Sequence, residues 1–199
     1  MTAPPPTQVI DWEGRFREGT TRWERPGLHP AFIDWQETGV LTPCRILVPG
    51  AGRSTEPLAL AEAGFNVTVV DAAPSAIAVQ RARLERVHLT ARVELADLFA
   101  WQPAAPLDAV YDQACLCALP PALLPAYVAR LQDWLRPDGR LFILFMQTGR
   151  AGGPPFDCPI GTMRTLFDPA HWTWPDTLPE VVPHPAGVGA DQPAVLGRR

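Results

Sequence analysis

Residues Arg45–Asp71, RILVPGAGRSTEPLALAEAGFNVTVVD, decide the fold. The apolar run Ile46-Leu47-Val48 is too short for a helix and suits a buried strand. A glycine turn follows, Pro49-Gly50-Ala51-Gly52, and then helix punctuation: Ser54 or Thr55 as N-cap, Pro57 in the first turn, Gly64 just past the end. A second apolar run, Val67-Thr68-Val69-Val70, stops on Asp71. Strand, glycine turn, helix, strand and acid make up a nucleotide-binding βαβ half. Gly50 and Gly52 let the backbone pass close to a ligand without Cβ interference. Asp71, 21 residues after Gly50, is placed to accept hydrogen bonds from two ribose hydroxyls. The blander alternative is a plain tight turn in an α/β protein.

The third glycine of a dinucleotide fingerprint is missing, because Thr55 stands three residues after Gly52. A pyrophosphate needs the close helix approach that this glycine permits. NAD and FAD are therefore disfavoured. A nucleoside without phosphates, S-adenosylmethionine, needs only the turn and the ribose acid.

Working outward, the bulk properties bound the class. With 199 residues, 47% of them apolar, one folded domain over residues 1–199 is expected. No apolar run approaches the roughly 18 residues of a membrane span, and the first ten residues lack a signal-peptide shape, so no membrane partner is expected. Net charge is −4, every basic residue is Arg, and no basic stripe stands out, which disfavours nucleic acid as a partner. Cys44, Cys115, Cys117 and Cys158 have no zinc spacing and read as buried reduced thiols in a cytoplasmic protein. His29, His88, His171 and His184 match no metal-ligand spacing, so no metal is expected.

On the N-terminal side, residues 1–8 read as a flexible tail. Residues 9–35 carry Trp12, Phe16, Trp23 and Trp35 in a polar setting. Trp12 and Phe16, four apart, share one helix face. This is either a helix packing its stripe on the domain or an aromatic lid over a sulfonium cation, with Glu18-Gly19-Thr20-Thr21 as its flexible break. Residues 36–199 then form the core. Beyond Asp71 the spacing predicts a helix over Pro74–Arg86 and a strand over Val93–Leu95. Asp97 and Leu98 follow, and they suit an adenine slot or, more simply, cap the next turn. A strand over Leu107–Tyr111 ends in Asp112-Gln113. A helix opens at Pro120-Pro121 with Leu124, Tyr127, Val128, Leu131 and Leu135 at helical spacing. Asp138-Gly139 turns the chain into a strand over Leu141–Met146. Alternating strands and helices argue for a parallel sheet covered on both faces. Further on, Ile160–Phe167 reads as a helix, Leu178–Val182 as a strand and Ala194–Leu196 as a last edge strand.

The runs WEGRFREGTTRW, LVPGAGR, VTVVD, ADLFAW, VYDQACLCALPP, LRPDGRLFILF and GGPPF resemble, in order over residues 11 to 167, the thiopurine S-methyltransferase-like S-adenosylmethionine-dependent methyltransferases. CALPP and GGPPF are most similar to the halide/thiol methyltransferase branch and its bacterial relatives. The resemblance implies an α/β, Rossmann-like class I methyltransferase fold: a seven-stranded, mostly parallel sheet with helices on both faces and one antiparallel strand, plus an N-terminal aromatic lid. It puts Trp12, Phe16 and Trp23 over the cofactor, Gly50 beside its methionine part, Asp71 on the ribose, and Asp97 with Leu98 on the adenine. Gln113 falls on a cofactor- and substrate-contacting position that is Arg in thiopurine enzymes and often Tyr in the halide/thiol branch. Trp172 and Trp174 fall where the family builds substrate-pocket wall.

The expected activity is methyl transfer from S-adenosylmethionine to a small-molecule acceptor with a soft nucleophile: a thiol, thiopurine, halide or chalcogen oxyanion. In-line displacement at an activated methyl asks the protein for alignment and removal of water and not for a strong base, although Asp112 stands where it could serve a thiol of higher pKa. Two rivals remain at this stage: an NAD-dependent oxidoreductase, and a module that binds the cofactor without turnover, for which Gln113 and the short Pro-rich C-terminal part speak.

Overall fold

The computed structural model describes residues 10–199, so the expected tail over 1–8 lies outside the described residues. Two helices come first, α1 (Trp12–Glu18) and α2 (Pro30–Glu37). The βαβ unit follows as β1 (Arg45–Pro49), α3 (Glu56–Glu62) and β2 (Asn66–Asp71), then α4 (Pro74–Arg86), β3 (Arg92–Leu95) and β4 (Leu107–Gln113). After α5 (Leu124–Trp134) come β5 (Leu135–Gln147), α6 (Ile160–Leu166), β6 (Trp172–Thr173), β7 (Val182–Pro183) and β8 (Ala190–Arg198).

The sheet runs β3-β2-β1-β4-β5-β8-β6, with β7 joined to β8 beside that path. Neighbours from β3 to β5 are parallel and β8 is antiparallel to β5, β6 and β7. Seven strands on the path, one of them reversed, make the Rossmann-like sheet that the sequence led us to expect; the two-residue β7 is an addition. Strand order reverses between β1 and β4, and ligands of open α/β sheets bind outside the strand carboxyl ends at that switch point.

Strand periodicity divides the core in two. On β1, β4 and β5, Ile46, Val48, Ala109, Tyr111, Phe142 and Leu144 face one layer, with α2 and α3. Their neighbours Leu47, Val110, Leu141, Ile143 and Phe145 face the other, with α5 and α6. On α5 the buried positions Leu124, Tyr127, Val128, Leu131 and Trp134 recur at helical spacing. Both βαβ helices start as punctuated, with Pro57 and Pro74 in their first turns. Thr55 occupies the N-cap of α3 without a side-chain bond.

Four expectations are corrected. Trp35 belongs to α2, whose Phe32 and Trp35 pack edge-on against Tyr111 at 5.4 and 6.2 Å between centroids; each such buried aromatic contributes about 1.5–3 kcal/mol. The fifth strand starts earlier than Leu141, because Asp138 (φ +61°) sits in a bulge within β5 and does not open a separate turn. Of the strand expected over Leu178–Val182, only Val182 pairs, together with Pro183. The segment around Ala194–Leu196 is no edge: β8 spans Ala190–Arg198 and lies between β5 and β6.

Candidate active site

A cavity of about 500 Å³ opens at the carboxyl ends of the strands, within the size range of ligand pockets. Each strand end contributes in sheet order: Asp97, Leu98 and Phe99 beyond β3, Asp71 from β2, Gly50 and Gly52 after β1, Gln113 from β4 and Met146 from β5. Trp12, Phe16 and Trp23 close one side.

The glycine turn is tight for a visible reason. Gly50 has φ +54°, and a Cβ there would lie 2.9 Å from Cys115 Sγ, in the loop after β4. Any side chain would drive the two loops apart. Gly52 has φ +51°, and its backbone N–H donates to Asp71 Oδ2 at 2.8 Å. The other oxygen of Asp71 accepts from the Ala73 N–H at 2.8 Å. This carboxyl therefore ties the β1 turn to the end of β2 while lining the cavity. Burial raises its pKa against the pull of those N–H groups.

The aromatic side is assembled from α1 and the segment after it. Asp11 caps α1 by accepting from the Gly14 N–H, and Gly19 ends it in the left-handed conformation. Trp23 meets Trp12 and Phe16 edge-on at 5.5 and 5.8 Å. Glu13 fastens the helix to α4, accepting from Ser75 Oγ at 2.6 Å and from the Ser75 N–H at 2.9 Å.

Asp112 and Gln113 part company because successive strand residues face opposite ways. Gln113 lines the cavity, and its Oε1 accepts from Tyr111 Oη at 2.8 Å. The Asp112 carboxyl is fully buried on the α5 side. It accepts from the Cys115 and Leu116 N–H groups at 3.0 and 3.2 Å and from Tyr127 Oη at 2.9 Å. Burial raises its pKa to about 6. It holds the loop after β4 and does not line the cavity. Trp172 and Trp174 do not line the cavity either; they pack with Phe167 and Phe145 under the sheet.

Comparison with known proteins follows the same outline. Residues 7–179 match the family described as thiopurine S-methyltransferase (TPMT). The chain belongs to that family. A thiopurine S-methyltransferase of Legionella pneumophila (strain Corby) is 31% identical over 164 residues, covering 73% of this chain and 74% of the relative. Thiocyanate methyltransferase 1 of Arabidopsis thaliana is 28% identical over 164 residues, covering 79% and 71%. In fold, the 1,6-didemethyltoxoflavin-N1-methyltransferase of Burkholderia thailandensis superposes with a TM-score of 0.73 at 24% identity, over 94% of this chain and 85% of that one.

As a TPMT-family member the chain is an S-adenosylmethionine-dependent methyltransferase, which decides against the oxidoreductase reading. The cavity fits that cofactor: a mostly apolar, aromatic-walled slot with an acid at the second strand end and glycines where the backbone comes closest. Among the described residues no group of three or more His, Cys, Asp or Glu could hold a metal, and no helix is long and apolar enough to cross a membrane.

The sequence reading missed a polar cluster at the β8 end of the cavity. Arg25 and His29 both approach Asp191 Oδ2 at 3.4 Å, and the His29 N–H donates to Glu56 Oε1 at 2.9 Å. His184 Nδ1 accepts from the Ala186 N–H at 3.2 Å, so its Nε2–H donates to the Trp23 carbonyl at 3.2 Å. Burial lowers the His184 pKa and raises that of Glu56. These residues come from three distant stretches; Glu56, at the start of the helix after the glycine turn, was the one legible signal.

Proposed function

We propose that this enzyme methylates a small, soft nucleophile, a thiol or halide-like anion, at the Gln113 end of the cavity. The observation that carries this reading is that the candidate bases Asp112, His184, Cys115 and Cys117 are committed or held protonated, while Glu56, whose Oε2 has no partner in the same cavity wall, is assigned to the cofactor below. Asp112 points to α5, both ring nitrogens of His184 are bonded, and burial holds the Cys115 and Cys117 thiols well above the usual range. An acceptor that must first lose a tightly held proton is poorly served by such a wall, whereas one that arrives as a soft anion needs only alignment and exclusion of water. The names of the relatives, thiol, thiocyanate and thiopurine methyltransferases, point to the same class.

S-adenosylmethionine supplies a methyl carbon already activated by positive sulfur and leaves as S-adenosylhomocysteine. Asp71 binds the ribose hydroxyls, Asp97 and Leu98 take the adenine, and Gly50 lets the methionine part pass close to the backbone. Trp12, Phe16 and Trp23 form a lid whose ring faces suit a sulfonium. Gln113 offers neutral donors and an acceptor, not a fixed charge, which favours small thiols and halides over bulky heteroaromatic thiolates. The test is kcat/KM for a thiol series of graded pKa, iodide and a thiopurine. Rates that follow the acceptor's thiolate fraction across pH support the reading. A preference for hydroxyl or amine acceptors would sink it.

A further inference from the structure

Glu56 carries a role that its packing does not explain. Its side chain is fully buried yet belongs to the cavity wall, six residues beyond Gly50. Oε1 accepts from the His29 N–H at 2.9 Å, which meets its structural duty at the start of α2. Oε2 is buried without any hydrogen-bond partner, and among the described residues no Arg or His forms an ion pair with Glu56. A buried carboxylate without a cation is costly, so a ligand that brings a positive charge with several N–H donors would relieve it.

The sheet order says which ligand group arrives there. With the adenosine over β2 and β3, as proposed above, the chain leaving the sulfur crosses the Gly50–Gly52 turn, and Glu56 follows that turn directly. We propose that Glu56 receives the α-ammonium of the amino-acid part of S-adenosylmethionine, so that the cofactor's tail, and not only its nucleoside, is read by a buried charge. The assignment rests on the adenosine placement, and its test separates the two.

Wild type and Glu56→Gln are titrated calorimetrically with S-adenosylhomocysteine, with its analogue in which hydrogen replaces the amine, and with 5′-methylthioadenosine, which lacks the whole amino-acid part. Glutamine keeps an oxygen for the His29 N–H. Removing the amine should weaken binding to wild type about tenfold or more, as expected for a charge-assisted bond, and should cost Glu56→Gln less than about threefold. 5′-Methylthioadenosine should bind both proteins alike. Equal cost of amine removal in the two proteins would overturn the assignment, as would equal weakening of all three ligands by the substitution. If Glu56→Gln does not fold, the wild-type comparison still decides: an amine worth less than about threefold overturns the proposal. Failure of wild type to bind either S-adenosylhomocysteine or 5′-methylthioadenosine would instead overturn the adenosine placement, and the Glu56 assignment with it.

Discussion

Three side chains at strand ends carry separable consequences. Asp71→Asn keeps one acceptor oxygen but turns an N–H₂ toward a backbone donor, either Gly52 or Ala73. We expect cofactor affinity to fall about tenfold or more and stability to fall by about 1–3 kcal/mol; unchanged affinity by calorimetry would remove the ribose assignment. Asp112 makes a prediction about pH. Its pKa stands at about 6 in the fold against an ordinary 3.8, so between those values the folded chain holds a proton that the unfolded chain has released. The stability this contributes is full below about pH 4 and is lost as pH rises through about 6, roughly 3 kcal/mol in all. Urea unfolding of wild type and Asp112→Asn should therefore give a difference in stability that shifts by about 2–3 kcal/mol toward the variant from acid to neutral pH. A constant difference would mean the carboxyl does not titrate there. Gln113→Arg should move the ratio of thiopurine to small-thiol kcat/KM up by about tenfold at most. It should also cost about 1–3 kcal/mol, because Tyr111 Oη loses its acceptor. A ratio that stays put would mean residue 113 does not meet the acceptor.

At the scale of elements, α1 and the turn to Trp23 are separable from the two main core layers, neither of which contains an α1 side chain. Phe16 packs instead in a small cluster with Ala73 and Ala76. Deleting residues 1–24 should leave a domain with cooperative unfolding that binds S-adenosylhomocysteine weakly and transfers methyl hardly at all. Outright unfolding would make α1 a structural helix, and full activity would remove the lid. The elements that local sequence describes well were readable in advance: β1 through α5 follow from periodicity, proline and glycine. The misreadings have physical causes. α2 is short, and its cap is a histidine, His29, accepting from the Ala31 N–H, so the stretch lacked a Ser, Thr, Asp or Asn start signal. Ala194–Leu196 read as an edge because it is the last apolar run, and Pro193 within β8 is a residue usually confined to edges. It is tolerated because from Gln192 to Leu196 the strand is paired with β5 alone, between the patches where β7 and β6 join. Asp112, a candidate by its identity as an acid at a strand end, is carried by strand alternation to the face away from the cavity. The Arg25–Asp191–His29 cluster had no local signature, since sheet topology alone gathers it.

For the whole molecule, the order β3-β2-β1-β4-β5-β8 brings the residues that line the cavity to one edge of the sheet. A ligand spanning those ends couples the first and last thirds of the chain and stabilises it against global unfolding. S-adenosylhomocysteine at about 100 times its Kd should add about 2.7 kcal/mol, equivalent to roughly 5–10 °C in Tm for a chain of this size. NAD at the same concentration should add nothing. A rise with NAD and none with S-adenosylhomocysteine would reverse the cofactor assignment.

The opposed facing of Asp112 and Gln113 also bears on how such a scaffold changes trade during evolution. A strand that slips by one residue turns every side chain over. In β4 that single step would bring a carboxylate into the acceptor pocket and send the amide to α5. An ancestor and a descendant could thus differ in whether they own a general base without a substitution at either position. On the acceptor placement proposed above, the pairing register of β4 decides which of these two side chains the acceptor meets, and a one-residue insertion or deletion outside the pocket is the kind of change that would alter it.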